Sequence, residues 1–262
     1  MGAIDIGIGG LAAAYALLIL PCAVILWLRI PMLGQSALAI ARMTVQLLFV
    51  GFYLEFIFKL NNFWLNAAWV LAMIVVAEFS IVRGCELRLK PFLGPLFLAL
   101  MTGTAIPLLY FLGPVLHRPG LLDAQYAIPI CGMILGNCLR ADIVGVRTFF
   151  TGLRKGEAEF QLALSQGATL QEALRPHLRD ACQAALTPTV ATIATIGLVS
   201  LPGMMTGVIL GGSSPMTAIQ YQLAIMIAIF SGTALTVAAA LLLSLPQAFT
   251  PYGVLNRTVL KK

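Results

Sequence analysis

Cys131, Met133, Asn137 and Asp142 set thiol, thioether, amide and carboxylate groups along one apolar segment. Met204 and Met205 add two more thioethers directly after Pro202 and Gly203. Thiols and thioethers suit soft transition metals, whereas amide and carboxylate oxygens suit harder cations. The faces of these residues do not all align, so they form no closed cage; they offer weak successive contacts, which let an ion leave as well as enter. Pro202 and Gly203 mark a distortion beside the sulfurs, where a helix bends. Glu78 is a further acid in apolar sequence, and such a group inside a membrane faces a partner or an aqueous path. Thr192 and Thr195, which share a helical face with Val199, extend the wall of that path. Every one of these groups has a second reading. Cysteine and methionine fill helix interfaces, and Cys131 and Cys138, seven apart, can do so on one face. Threonine hydroxyls hydrogen-bond back to their own helix, and Asp142 can neutralise Arg140 or Arg147 as an ion pair.

The scaffold for such a set follows from composition. Of 262 residues, 60% are hydrophobic and 10% charged, against about 25% charged in a typical soluble domain. That excludes an ordinary water-soluble globule. Stretches near residues 8–28, 39–58, 63–82, 92–113, 125–150, 186–211 and 217–246 have the apolar length for bilayer crossing, which takes about 20 residues. They predict an all-α polytopic membrane protein of about seven transmembrane helices, with residues 1–262 as a single domain. Asp5 stands where a signal peptide carries basic residues, so the first stretch is expected to remain as a helix. Residues 184–222 combine Pro188, Pro202, Gly203, Gly211 and Gly212 in a nearly uncharged run, which a bilayer tolerates only where neighbouring helices shelter the broken backbone. The five cysteines include no C-x-x-C pair, and no disulfide framework is expected.

With this crossing pattern, all of the 16 basic residues except Lys59 and Arg118 fall on or toward one side. The positive-inside rule makes that side cytoplasmic, with the N-terminus outside and the C-terminus inside. The net charge of +6 is thus spread over loop anchors rather than gathered into a nucleic-acid surface, and no nucleic-acid partner is expected. The partner that surrounds the chain is the lipid bilayer.

A cytoplasmic insertion over residues 151–185 separates the fifth and sixth crossings. Gly156, Gly167 and Pro176 are expected to divide it into short helices. Thr169 and Glu172 have the T-x-x-E spacing of a capping box, so a helix restarts there. Leu170 and Leu174, at i and i+4 and followed by Arg175, His177 and Arg179, form a small apolar ridge ringed by charge. Such a ridge fits a groove on a soluble partner or rests on its own protein. His177 and His117 fall on opposite sides of the membrane and share no metal site; a helix-end or interface role is expected of His177.

Taken together, the S-x-G-A-T run from Ser165, the R-D-A-x-x-A-A-L-T-P-T run from Arg179 and the G-L-V-S-L-P-G-M-M-T-G run from Gly197 resemble the FetB/YbbM family of ABC transporter permeases. So do I-P-I-C-G-M-I-L-G-N from Ile128, the stretch from Pro215 to Gln222, and Arg42, Gln46 and Val50-Gly51. The likeness covers nearly the whole chain. It implies the permease subunit of an ABC transporter in the bacterial inner membrane, exporting iron or another metal cation. ATP and Mg would be bound by a separate ATP-binding subunit, consistent with the lack of a G-x-x-x-x-G-K-[ST] loop here; no cofactor is expected in this chain. ABC chemistry uses paired nucleotide-binding domains, so two permeases with two ATPase subunits are expected. The coupling element would be the insertion, through Glu159, Gly167, Thr169, Leu170, Glu172, Leu174, Arg175 and Arg179, although its surroundings depart from the importer consensus. Related plant proteins are tied to aluminium tolerance and to a nucleotide sugar, which leaves a permease for a nucleotide sugar or other small solute open. From the residues alone, an ion-coupled secondary transporter and a non-transporting scaffold also remain open.

Overall fold

A computed structural model of the chain describes residues 7–85, 89–117 and 123–250, with residues 89 and 90 followed as backbone only. Asp5, Arg88, Arg118 and the basic tail of Arg257, Lys261 and Lys262 lie outside these residues. The chain is a succession of helices: α1 (Ile8–Ala16), α2 (Ile19–Trp27), α3 (Leu33–Leu60), α4 (Phe63–Gly84), α5 (Leu89–Tyr110), α6 (Ala124–Lys155), α7 (Glu157–Ser165), α8 (Leu170–Thr195), α9 (Gly203–Leu210) and α10 (Pro215–Ala248). Apolar sequence in a bilayer leaves the backbone no water to bond, so each segment bonds to itself as a helix. Small polar residues start several of them. Asn62 and Asp123 accept the amide N–H of Trp64 and Gln125, and Ser214 accepts that of Thr217. Asn61 ends α3 in the left-handed conformation, and its Oδ1 accepts the Ala124 N–H at 3.0 Å, tying that end to the start of α6.

Among the described residues, six stretches are long and apolar enough to cross a membrane as helices: Ile8–Trp27, Leu33–Leu60, Phe63–Gly84, Pro91–Val115, Ala124–Lys155 and Pro215–Ala248. The expected crossing at residues 186–211 is not one helix. α8 carries on unbroken from the insertion to Thr195, turns at residues 196–202, and resumes as α9. The break falls earlier than Pro202-Gly203. Gly197, at φ +84, takes a conformation that side chains resist, and its N–H meets the Ser200 carbonyl at 2.9 Å. Pro202 and Gly203 merely cap and open α9.

Contacts between helices set their directions. Asp142 meets Thr236, and a Cβ on Gly145 would lie 3.2 Å from both Val237 and Ala185. Position increases together along α6 and α10, which therefore run parallel. α8 runs against α6, since Ala185 sits at Gly145 whereas Thr192 shares a cavity with Asn137, farther back along α6. The α8–α9 pair thus returns the chain to the side where α10 begins, making a broken passage through the bundle.

The core joins α4, α5, α6 and α10, with α8 against its flank. α5 and α10 cross backbone to backbone: a Cβ on Gly232 would lie 2.6 Å from the Gly103 carbonyl oxygen, and one on Gly103 would lie 2.5 Å from the Thr236 Cβ. Small residues at such a crossing let membrane helices approach closely. Cys131 and Cys138 are fully buried in this core, and all five cysteines are free thiols. Cys131 and Cys138 pack there against apolar neighbours. α1 and α2, by contrast, bury no residue and α3 only Ile57, although Tyr15 and Thr44 share a hydrogen bond.

The capping box forms as its spacing predicts. The Thr169 N–H and hydroxyl each donate to Glu172 Oε2 at 2.8 Å, and the Glu172 N–H donates to Thr169 Oγ1 at 3.3 Å. Gly156 and Gly167 separate helices, but Pro176 does not. It sits within α8, where it omits one ladder bond that the rest of the helix can spare. The Leu170–Leu174 ridge is not a free surface: Leu174 is 1% exposed and joins the core, and Leu170 packs against it. The i, i+4 spacing gave the helix an apolar face but not the side on which its partner lay. His177 lies over the end of α6, where a Cβ on Gly156 would be 3.2 Å from its Cε1.

The Thr169 donors hold the Glu172 carboxyl below its ordinary pKa. The cap is therefore fully supported above the ordinary carboxylate range and weakens as pH falls through Glu172's own lowered value. Thr169→Ala is expected to speed amide exchange at Leu170, Gln171 and Glu172 several-fold at neutral pH, with the gap from wild type closing in acid. Hydrogen-exchange mass spectrometry across pH checks both.

Candidate transport cavity

One helix, α6, presents two stripes. Met133, Asn137, Arg140 and Val144 recur at intervals of three and four and face a cavity of about 730 Å³. Cys131, Cys138 and Asp142 face the other way, into the core. The facing wall comes from α8 through Pro188, Thr189 and Thr192, while Pro202, Gly203 and Met204 close one end. α10 supplies Gln222, Ile225, Met226 and Ile229. Pro188 lacks the N–H that would bond one turn back, and the Thr192 hydroxyl donates to the Pro188 carbonyl at 2.9 Å. Thr195 does the same toward Ala191 at 3.0 Å. These hydroxyl protons are engaged within the helix, so Thr192 offers the cavity oxygen lone pairs.

Of the residues marked for metal contact, Met133, Asn137 and Met204 line this cavity. Cys131 and Asp142 do not. Met205 turns into a second, apolar cavity of about 660 Å³, which shares Pro202, Gln222 and Met226 with the first. Those three residues form the partition between the two spaces. Of the pathway set, Thr192, Pro202 and Gly203 line the first cavity; Thr195 is exposed outside both linings, and Glu78 is buried on α4.

The ion pair of Asp142 with Arg140 or Arg147, offered as its second reading, is not found among the described residues. Two residues apart on a helix point to different faces, and Asp142 Oδ2 instead accepts the Thr236 hydroxyl at 2.8 Å. Arg140 lines the cavity, with no carboxylate among the described residues within 4.0 Å. Its membership of the Met133–Asn137 stripe was readable from the spacing. Gln222 stands outside the residues that the sequence singles out. It is 8% exposed, and its Oε1 has no hydrogen-bond partner among the described residues. A buried amide in a 34-residue apolar helix carries a hint of function, since unsatisfied amides inside a membrane are costly. Among the described residues no cluster of three or more His, Cys, Asp or Glu could hold a metal ion. What the cavity offers instead is thioether sulfur, amide and hydroxyl oxygen, and one guanidinium.

The path between this cavity and the insertion is a single helix. α8 starts at the Thr169 cap, packs Ala181 and Ala185 on Gly145, and reaches the cavity wall at Thr192. Its 26 residues span about 39 Å.

Residues 8–249 match UPF0014, described as an uncharacterised protein family. The chain is 35% identical over 224 residues to the UPF0014 membrane protein slr1647 of Synechocystis sp., covering 85% of this chain and 84% of that one. It is 34% identical over 228 residues to the probable iron export permease protein FetB of Escherichia coli, covering 86% and 85%. Rice contributes a third relative, the UPF0014 membrane protein STAR2, 32% identical over 255 residues and covering 94% and 85%. No solved structure matches. A helical bundle matched from its first described helix to its last by one family of membrane proteins leaves a plain conclusion: the chain belongs to UPF0014.

Proposed function

We propose that the chain is the permease subunit of an ATP-driven exporter of iron or another metal, with ATP and Mg held by a separate ATP-binding cassette subunit. The observation that carries this reading is α8. One continuous helix has its capped end in the charged insertion and its other end in the wall of a membrane-depth cavity. A scaffold that only anchors a partner needs no such rod. Push or rotation at the cap moves Thr189 and Thr192 directly, while the Gly197 turn lets the far end bend. The Escherichia coli relative, a probable iron export permease, supports export of iron, and the sulfur and oxygen lining suits weak passing contacts with a metal. Two copies bound to two ATPase subunits in the bacterial inner membrane, with the insertion on the cytoplasmic face, complete the proposal.

The burial of Leu174 moves the docking face to what stays exposed. That face comprises Glu159 and Leu162 on α7, the turn at Gly167 and Thr169, and Glu172, Arg175 and Arg179 on α8. Leu162 is 57% exposed, an apolar knob among charges of the kind that anchors in a pocket. Leu162→Glu combined with Arg179→Glu is expected to weaken co-purification with the ATPase at least tenfold while leaving thermal unfolding in detergent unchanged. Undiminished association of the double variant would sink the docking assignment. Absence of any ATP-dependent metal flux by the reconstituted two-protein complex would sink the exporter.

A further inference from the structure

Arg140 lies sixteen residues from the start of α6 and fifteen from its end, about 24 and 22 Å along the axis. It therefore stands near the middle of a helix long enough to cross the membrane, and a cation within such a helix is costly unless it faces water or a counter-charge. The described residues supply no counter-charge within 4.0 Å: among them Arg140 is the one charged side chain in the cavity lining, and the nearby Asp142 is turned to Thr236 on the opposite face. A guanidinium remains charged at any working pH. Across the space, the buried Gln222 side chain lines the same cavity, its Oε1 without a partner among the described residues. A carboxamide presents N–H or C=O by a half-turn. Asn137, one turn before Arg140, donates its own amide to the Met133 carbonyl at 2.8 Å, which fixes its orientation.

A bare metal cation entering this space would meet a like charge. An anion would meet a planar fork of donors that matches a carboxylate or phosphate oxygen pair, with Gln222 available as a second donor. We propose that the cavity takes its cargo as an anionic species held by the Arg140 guanidinium, so that a metal ion passing here does so inside a complex of net negative charge. This rests on reading the cavity as the cargo path. It replaces carboxylate ligation by the protein with carboxylate or phosphate ligation by the cargo's own companion. The thioethers of Met133 and Met204 then serve as an adaptable lining for the body of that complex.

The test uses the full chain alone in nanodiscs of phosphatidylcholine, with equilibrium dialysis against ferric citrate, ferric pyrophosphate, citrate, pyrophosphate and ferrous chloride. Wild type is expected to retain an iron complex of citrate or of pyrophosphate, and the better of the two tells whether carboxylate or phosphate is read. Arg140→Gln is expected to weaken that retention at least tenfold, and Arg140→Lys to recover part of it, because the charge returns without the fork. Asn137→Asp keeps the arginine but sets a carboxylate one turn away; it is expected to weaken the same complexes and to leave or improve retention of ferrous ion. The proposal is overturned if wild type retains none of the four anionic probes. It is equally overturned if folded Arg140→Gln and Asn137→Asp both retain them as wild type does. No ATPase is present, so failure here leaves the docking and flux results standing, and failure of those leaves this one.

Discussion

Gly232→Val is expected to leave no stably folded bundle. The new Cβ would lie 2.6 Å from the Gly103 carbonyl oxygen and 3.0 Å from the Ile134 side chain. A side chain can turn away, but a backbone oxygen moves only with its helix. α5 and α10 would have to separate, and that separation would open the packing around Cys138 and the Asp142–Thr236 hydrogen bond. Overpacking of a core commonly costs about 1–3 kcal/mol, and here the loss is expected at or above the top of that range because the nearer obstacle is backbone and the second closes the α6 side. Gly51→Val is the matched control, since a Cβ there meets nothing within 4 Å. Size-exclusion profiles and thermal unfolding in detergent distinguish them: a lost or aggregated peak for Gly232→Val beside a near-normal Gly51→Val. A wild-type melt for Gly232→Val would mean that the two helices do not cross at these glycines.

The second large effect is expected from two alanines inserted between Leu186 and Thr187. The lower part of α8 keeps its cap and its seat on Gly145 through Ala181 and Ala185. Everything above turns by about 200° and rises about 3 Å, which removes Thr189 and Thr192 from the cavity wall. The complex with the ATPase is expected to survive, while cargo flux and cargo-stimulated ATP hydrolysis fall at least tenfold. Basal hydrolysis, measured in the same proteoliposomes, shows that the engine remains. Unchanged flux would show that α8 does not transmit the motion.

The membrane class and the succession of helices were legible in the sequence because bilayer length and hydropathy are local properties. So was the restart at Thr169, because a capping box is complete within four residues. Three things were not legible, each for a reason of geometry. Leu170 and Leu174 named an apolar face, but periodicity does not say whether the chain itself covers it, and α6 and the adjoining core do. Pro202 and Gly203 looked like the break, yet proline is at ease opening a helix and the turn centres on Gly197, where positive φ demands glycine. Asp142 and Arg140 looked like partners through closeness in sequence, whereas α6 turns them to opposite sides. Gln222 acquired meaning only when α10 folded beside α6 and α8.

The pairing of Asp142 with Thr236 also sets an order of events during synthesis. The acid's partner lies 94 residues downstream, and at about 5–20 residues per second a ribosome needs on the order of ten seconds to reach it. α6 enters the membrane with a carboxyl group for which the partner does not yet exist. α1, α2 and α3, which bury almost nothing, need no later helix to cover them, whereas α6 can pack on α4 and α5 at once but finds the Asp142 partner only when α10 arrives. A nascent chain that stalls before Thr236 leaves that acid without its hydroxyl partner.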